Sequence, residues 1–157
     1  MSTDAEWARE IGRFLAEHSR LTLATVDAGG RPMAASLFFA ADEALNLFWT
    51  SGASNRHSRN LAHNPMAAAT VHRETWTWSE IAGVQVEGEA TPVPAGLGWQ
   101  ACWELYLAKF PFVVDFQAEI SRSNFYRLAP RWVRLIDNSR SFGFKQELYL
   151  GAGEAAK

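Results

Sequence analysis

The stretch Phe48–Asn60 holds the residues whose types and spacing are best suited to chemistry. A β-rich run ends in Thr50-Ser51-Gly52, and a segment of helical character follows with Arg56 and His57 in its opening turns. Hydroxyl groups, a guanidinium and the free backbone N–H groups of a helix N-terminus are donors that bind phosphate. The GxxxxGK[ST] pattern of nucleotide triphosphatases is missing. The stretch therefore indicates either a phosphate site or an ordinary capped helix with exposed Arg and His side chains.

Other reactive side chains give weaker signals. His18 and His63 lie near predicted helix ends and His72 near a strand end, and none is spaced from another His or Cys as metal ligands are. We therefore predict no metal site. No GxSxG elbow is present, which argues against a serine hydrolase. Cys102 lies between aromatic positions of a predicted helix, where a small buried hydrophobe is expected. No residue can be assigned as a catalytic acid or base, so the catalytic residues stay unknown.

Seven tryptophans form the second unusual feature of the chain. Trp49 comes directly before the candidate phosphate turn and fits either the core or the wall of a pocket. Trp99 and Trp103 share a helix face and are expected to pack against the sheet or across a dimer. Trp76 and Trp78 alternate on one strand face, which suits a subunit interface.

Composition limits the classes of protein that the chain can represent. It has 157 residues, 48% of them hydrophobic, a net charge of −2 and a single cysteine. These values predict one globular domain spanning residues 1–157, with a frayed tail from about residue 151. They give no general attraction for nucleic acid or for an anionic membrane. With no predicted signal peptide or membrane span, we expect a soluble, cytoplasmic protein.

Hydrophobic periodicity and turn residues predict the elements that position the candidate site. Helices are expected from Thr3 to about His18, over 54–63, from Pro94 to Phe110, and over 113–120. Strands are expected over 21–27, 33–41, 45–51, 66–72, 81–92, 124–137 and 141–150, with the first three forming a meander. This pattern is mainly β with flanking helices, an α+β fold built on a six- to seven-stranded antiparallel split β-barrel, since a closed barrel removes exposed sheet edges.

The order of these elements and the phosphate turn resemble the pyridoxamine 5′-phosphate oxidase-like flavoproteins of the FMN-binding split β-barrel fold. The resemblance covers about residues 10–150. Its carrying motifs are Leu23-Ala24-Thr25 with Gly30-Arg31-Pro32, Leu47 to Ser51, Arg56-His57 with Asn64-Pro65, and Gly83 to Gly88. Asp137-Asn138 and Phe142 to Lys145 further resemble a small, largely uncharacterised bacterial branch.

This resemblance implies a homodimer that holds FMN in two clefts at the subunit interface. Ser36 and Leu37 would lie near the flavin ring, Trp49 beside it, and Thr50, Ser51, Arg56 and His57 would hold the phosphate. The implied activity is that of a flavin-dependent oxidoreductase or flavin reductase acting on a small molecule, with an electron donor such as NAD(P)H. A non-catalytic module that binds or senses flavin or haem, and a deazaflavin-dependent reductase, are the alternatives on the same fold.

The chain also departs from the true oxidases. Where they have an Arg-x-x-x-x-Lys pattern on the second strand, this chain has Ala35 and Ala40, and a C-terminal Arg-x-His is missing. His57 replaces the second basic residue of the phosphate turn, so its charge would depend on pH and on neighbouring groups. Oxidation of pyridoxamine phosphate is therefore not expected.

Overall fold

The elements form one antiparallel sheet with helices packed against it. A computed structural model describes residues 1–151, and most of the predicted tail lies outside this range. Its strands are β1 (Arg20–Val26), β2 (Pro32–Phe38), β3 (Ala40–Ala41), β4 (Leu47–Ser51), β5 (Met66–His72), β6 (Ala82–Pro92), β7 (Asn124–Asp137) and β8 (Lys145–Tyr149). Its α-helices are α1 (Asp4–Ala16), α2 (Arg56–His63), α3 (Leu97–Lys109) and α4 (Gln117–Ser121), with 3₁₀ turns at Trp78–Glu80 and Pro111–Phe116.

The sheet follows the strand order β2-β1-β5-β6-β7-β4-β3, and β8 also pairs with β7. The 14-residue β7 pairs with β6 along one side. On its other side, its first part pairs with β4 and its last part with β8, so the sheet divides there. The α+β split-barrel prediction is thereby confirmed.

The predicted β1–β2 hairpin is present and depends on Asp27 and Gly30. Asp27 Oδ1 accepts hydrogen bonds of 2.9 Å from the backbone N–H groups of Gly29 and Arg31. Gly30 has φ of 79°, a left-handed conformation that glycine adopts without steric cost. The turn is thus held by the Asp27 carboxylate and by a glycine in its left-handed position.

The predicted three-strand meander is wrong. The run 33–41 divides at Phe39, whose N–H donates to the Ser19 carbonyl at 3.1 Å instead of continuing the strand. As a result β2 pairs with β1, whereas β3 pairs with β4 at the far end of the sheet. This division raises the strand count in the described residues to eight.

Two hydrophobic clusters lie on opposite faces of β4. The first fills the barrel and includes Leu47 and Trp49 of β4 with Ile11 and Leu15 of α1. The second lies under α3 and includes Phe48 together with Cys102, Trp103, Tyr106, Phe110 and Phe125. The predicted packing of Trp103 against the sheet is confirmed, and Trp99 stacks on it with ring centroids 5.9 Å apart. Cys102 is buried, as predicted.

The start of α3 differs from the prediction. Pro94 was expected in its first turn, but the helix begins three residues later at Leu97. Gly96 precedes it with φ of 89°, which turns the chain sharply before the helix. The loop from β6 therefore ends with a bend that the proline did not predict.

Lys109 joins α3 to the C-terminal end of α1. Its Nζ donates to the carbonyls of Leu15 at 3.1 Å and His18 at 2.6 Å, and it lies 4.0 Å from the centroid of the Phe39 ring. Carbonyls at a helix C-terminus have no partner within the helix and favour a cation. Burial lowers the pKa of Lys109 to about 8, so desolvation offsets part of this gain.

We expect Lys109→Met to lower the free energy of unfolding by about 1–2 kcal/mol, because the His18 carbonyl loses its donor and the Leu15 carbonyl keeps only backbone N–H donors such as that of His18 at 3.3 Å. Urea unfolding followed by circular dichroism measures the change. Lys145→Met, at an exposed position of β8, is the matched control and should leave the stability nearly unchanged. Equal stabilities of the two variants would contradict this assignment.

Candidate functional site

The candidate phosphate turn connects the end of β4 to the start of α2. Asn55 occupies the N-cap with extended backbone, but its side chain makes no capping hydrogen bond. The first backbone bond of the helix runs from Arg59 N–H to the Asn55 carbonyl at 2.9 Å. The N–H groups of the first turn have no intrahelical acceptor. They are therefore available to a ligand, together with the positive end of the helix dipole.

Ser51 and His57 are held against each other inside this turn. Ser51 Oγ and His57 Nε2 are 2.8 Å apart, and both side chains are buried. Burial lowers the pKa of His57, because the charged imidazolium loses its hydration. His57 is therefore neutral at pH 7. In the tautomer with the proton on Nε2, His57 donates to Ser51 Oγ and the Ser51 O–H can donate to a ligand, whereas in the other tautomer Ser51 donates to Nε2.

The positive charge of the turn comes from Arg56. Its side chain is exposed and makes no hydrogen bond or ion pair with any residue in 1–151. Two residues further, Ser58 Oγ is buried and has no hydrogen-bond partner among the described residues. This hydroxyl lies on the buried side of α2, so its missing partner costs free energy and it is not accessible to a ligand in this conformation.

The burial of His57 predicts a pH dependence of stability. Below the ordinary histidine pKa of 6.5, the unfolded chain takes up a proton that the folded protein resists. The unfolded state then binds more protons, so the free energy of unfolding should fall as the pH drops from 6.5. Urea unfolding of the protein and of His57→Gln at several pH values measures this slope, and the other histidines cancel in the difference. Identical slopes for the two proteins would contradict the burial of a neutral His57.

The expected pair of hydroxyls at Thr50 and Ser51 does not meet at α2. Successive side chains of a strand point to opposite faces, and β4 stays in regular register with β7 through both residues. Ser51 faces His57, so Thr50 lies on the other face, beneath α3 with Phe48. Thr50 Oγ1 is buried there without a hydrogen-bond partner among the described residues. The structure thus brings Ser51, Arg56 and His57 together and separates Thr50 from them.

Trp49 lies in the core and not in the wall of an open pocket. Its side chain has 0% exposure, and its ring stacks on Tyr126 with centroids 5.9 Å apart. Its sequence position allows either the core or the wall of a pocket, and the structure places Trp49 in the core of the barrel. A ring without exposed surface does not reach a ligand in this conformation.

Ser36 and Leu37 lie on β2, which has a strand partner on one side only among residues 1–151. Ser36 is exposed on the outer face of the sheet, and Leu37 packs partly against the barrel core. These two side chains point to opposite faces of β2, so a planar ligand on one face can contact only one of them. The free edge of the strand offers backbone donors and acceptors beside both residues.

Two residues that hold α2 in place, Asn60 and Thr25, were not predicted from the sequence. Asn60 is buried, and its Nδ2 donates to Thr25 Oγ1 of β1 at 3.0 Å. It also lies 3.9 Å from Met33 Sδ at the start of β2. Asn60 lies on the buried side of α2 with His57, Ser58 and Leu61, a helical spacing that a closer reading of the segment could have found. This contact brings the phosphate turn close to β1 and β2.

A shallow trough of about 410 Å³ crosses the outer face of the sheet. Its lining on β1 and β5 consists of small residues, among them Thr22, Ala24, Ala68 and Thr70, while β6 and β7 contribute larger side chains that include Gln85, Glu87, Trp132 and Arg134. The strand register places Ser36 of β2 in the same row as Thr22 and Thr70. These side chains are small, so the surface is open to close approach by a large flat group or by another sheet.

A divided antiparallel barrel with a short uncapped helix after its fourth strand defines the class of the pyridoxamine 5′-phosphate oxidase-like split barrels. The comparisons support the same class. The family model for pyridoxamine 5′-phosphate oxidase matches residues 8–137. The chain belongs to this family, as its resemblance in sequence predicted.

Similarity to individual proteins extends over most of the chain. A UPF0306 protein of Yersinia pestis is 31% identical over 136 residues, which are 86% of this chain and 88% of the relative. Among solved structures, a haem-binding protein from Mycobacterium smegmatis matches with a TM-score of 0.75 and 22% identity, over 95% of this chain and 59% of that protein. HutZ, the haem storage protein of Vibrio cholerae, matches with a TM-score of 0.67 and 25% identity, over 78% of this chain and 88% of HutZ.

No helix within residues 1–151 has the length and apolar character needed to cross a membrane.

Proposed function

We propose that this protein binds FMN at the turn between β4 and α2 and acts as a flavin-dependent oxidoreductase or flavin reductase on a small molecule. The observation that carries the proposal is the set of donors at this turn that lack partners. The turn presents a free Arg56 guanidinium and an uncapped helix N-terminus. These groups match a phosphate dianion in charge and in donor chemistry.

In this proposal the phosphate site consists of Arg56, the N–H groups of the first turn of α2 and Ser51, with His57 positioning Ser51. Arg56 supplies the charge, and Ser51 supplies a hydroxyl donor. His57 acts through its 2.8 Å contact with Ser51 and not as a cation, because burial lowers its pKa. Thr50 and Trp49, expected from sequence to contribute, are left out because of their placements under α3 and in the core.

The flavin ring would lie along β2, beside Ser36 and Leu37. Asn60 holds α2 near the start of this strand, so one molecule could reach from the phosphate turn to the strand edge. The free backbone groups of β2 complement the donors and acceptors on the polar edge of a flavin ring. Bound flavin would supply hydride or electron transfer, while the protein orients the ring and excludes water.

We further propose that two copies pair through the trough on the outer face of the sheet. On β2, β1 and β5 this row consists of the short side chains Ser36, Thr22 and Thr70, which permits close packing of two sheets there, and it continues through Gln85 and Arg134 on β6 and β7, which would lie at the edge of the contact. A partner in this position would cover the exposed side of β2 and complete the flavin cleft. Sedimentation of the flavin-loaded protein should then give twice the mass of the chain.

Titration with FMN and with riboflavin tests the proposed site. Riboflavin carries the same ring but no phosphate, so the ratio of the two dissociation constants isolates the contribution of the turn. We expect FMN to bind about a hundredfold more tightly, equivalent to about 2.7 kcal/mol or one to two charge-assisted contacts. Equal affinities would contradict the phosphate site. Reduction of the bound flavin by NADH or NADPH then tests the oxidoreductase activity.

A haem-binding or haem-storage role is the second candidate, supported by the similarity to the proteins from M. smegmatis and V. cholerae. Among the histidines, His57 is buried against Ser51, whereas His63 and His72 are exposed and His18, whose Nδ1 lies 2.6 Å from the Phe14 carbonyl, has no partner at Nε2 among residues 1–151. Tight haem binding with no flavin binding would favour this candidate. The mass of the bound cofactor distinguishes a deazaflavin-dependent reductase from an FMN-dependent one.

A further inference from the structure

A second cavity, of about 540 Å³, lies between α3 and the sheet. Its floor contains Phe48, Thr91 and Arg127, which the register of β4, β6 and β7 places side by side on the face beneath α3, and Asp42, which directly follows β3. Its roof is one face of α3, formed by residues at helical spacing from Gly98 to Leu105. This volume falls within the range of small-molecule pockets, about 300–1,000 Å³.

The cavity exists because the roof residues are small. Gly98 and Ala101 face the floor where larger side chains would fill the space. A Cβ added at Gly98 would lie 3.2 Å from Val93 Cγ1, so the glycine lets the helix approach the end of β6 closely. Leu105 and Phe48 complete a lining that is mostly apolar.

The two charged residues of the lining differ in their partners. Asp42 uses both carboxylate oxygens, which accept hydrogen bonds of 2.9 Å from the backbone N–H and the Nδ2 of Asn46. Arg127 is exposed at the rim and makes no hydrogen bond or ion pair with any residue in 1–151. The cavity thus combines an apolar interior with a guanidinium that has all its donors available.

We propose that this cavity binds a small molecule with an apolar body and one carboxylate group. The body packs against Phe48, Leu105 and Val93, and the carboxylate accepts hydrogen bonds from Arg127. A planar guanidinium pairs with a carboxylate through two parallel bonds, which fixes the orientation of the ligand. The bound acid is a substrate or an effector of the protein.

This site is separate from the phosphate turn. Phe48 and Ser51 lie on opposite faces of β4, because their positions in the strand differ by an odd number of residues. Flavin and the carboxylate ligand can therefore occupy one chain at the same time. The cavity does not depend on flavin binding, and its test does not require the flavin.

Calorimetric titration with 3-phenylpropanoate and octanoate tests the proposal. Each acid is compared with its uncharged amide, which has nearly the same shape. We expect the acids to bind about tenfold more tightly than the amides, because a charge-assisted pair with Arg127 is lost in the amide. For Arg127→Gln, the binding affinity for each acid should fall by a similar factor, while the affinity for each amide should stay unchanged.

Two further variants separate the cavity from the protein surface. Arg122→Gln removes an exposed charge outside the cavity and should leave binding of both acids unchanged. Ala101→Leu places a larger side chain in the roof of the cavity and should abolish binding of acid and amide alike. The thermal unfolding temperature of this variant is measured as well, to show that it is folded. Failure of both acids to bind at millimolar concentration, or equal binding to Arg127→Gln, would overturn the proposal.

Discussion

Replacing Arg56 with alanine is expected to weaken FMN binding by roughly 10- to 100-fold, since a charge-assisted contact contributes about 1.5–3 kcal/mol. Arg56 is exposed at the start of α2 and has no protein partner in residues 1–151, so its guanidinium is free to pair with the phosphate. Removing it takes away the charge of the turn without disturbing the fold. Fluorescence titration of the variant with FMN measures the loss.

The specificity of this effect can be checked with riboflavin and with a second arginine. Riboflavin has no phosphate, so its affinity should be the same for the protein and for Arg56→Ala. Arg9→Ala removes an equal charge from the exposed side of α1 and should leave FMN binding unchanged. An equal loss for both flavins would mean that Arg56 contacts the ring or affects the fold, and the phosphate site would lie elsewhere.

The largest effect on stability is expected for Gly88→Ala, which should lower the free energy of unfolding by more than about 4 kcal/mol. The pairing of β6 with β7 shifts between Glu87 and Gly88, because Arg131 forms a bulge in β7. A Cβ at Gly88 would collide with the Ala129 carbonyl oxygen and lie 2.9 Å from its carbon. These are backbone atoms at the centre of the sheet, so they cannot move aside as a side chain could.

Thermal and urea unfolding of Gly88→Ala test this expectation, and Gly12→Ala is the matched control. A Cβ at Gly12 would lie 3.8 Å from Leu45 Cδ2, an ordinary contact, and the residue is inside α1. Alanine favours a helix by about 0.5–1 kcal/mol over glycine, so this control should be neutral or more stable. Normal stability of Gly88→Ala would show that the bulge is not as tight as described.

Local patterns in the sequence predicted most of the fold, because they reflect short-range physical chemistry. The start of α1 is one case, because the helix predicted from Thr3 begins there with a capping box in which Thr3 and Glu6 form mutual hydrogen bonds. The hairpin of β1 and β2 is another. The division at Phe39 could not be predicted in this way, because it depends on a hydrogen bond to Ser19 in a neighbouring segment.

The candidate site was predictable in position but not in detail. The order of strand, glycine turn and basic helix identified the turn, and the structure brings Ser51, Arg56 and His57 together there. The roles of Thr50 and Trp49 depend on which face of β4 each side chain occupies, and sequence periodicity in a buried strand does not define this. The cavity beneath α3 involves four strand ends distant in sequence, so no single motif indicates it.

The mass of the cofactor that copurifies with the full-length protein tests the central claim most directly. The protein should be purified without added flavin, denatured, and the released small molecules analysed by mass spectrometry beside an absorption spectrum of the native sample. We predict FMN, bound at close to one molecule per chain after reconstitution. Haem or a deazaflavin as the sole bound cofactor, or no flavin even after incubation with FMN, would contradict the account.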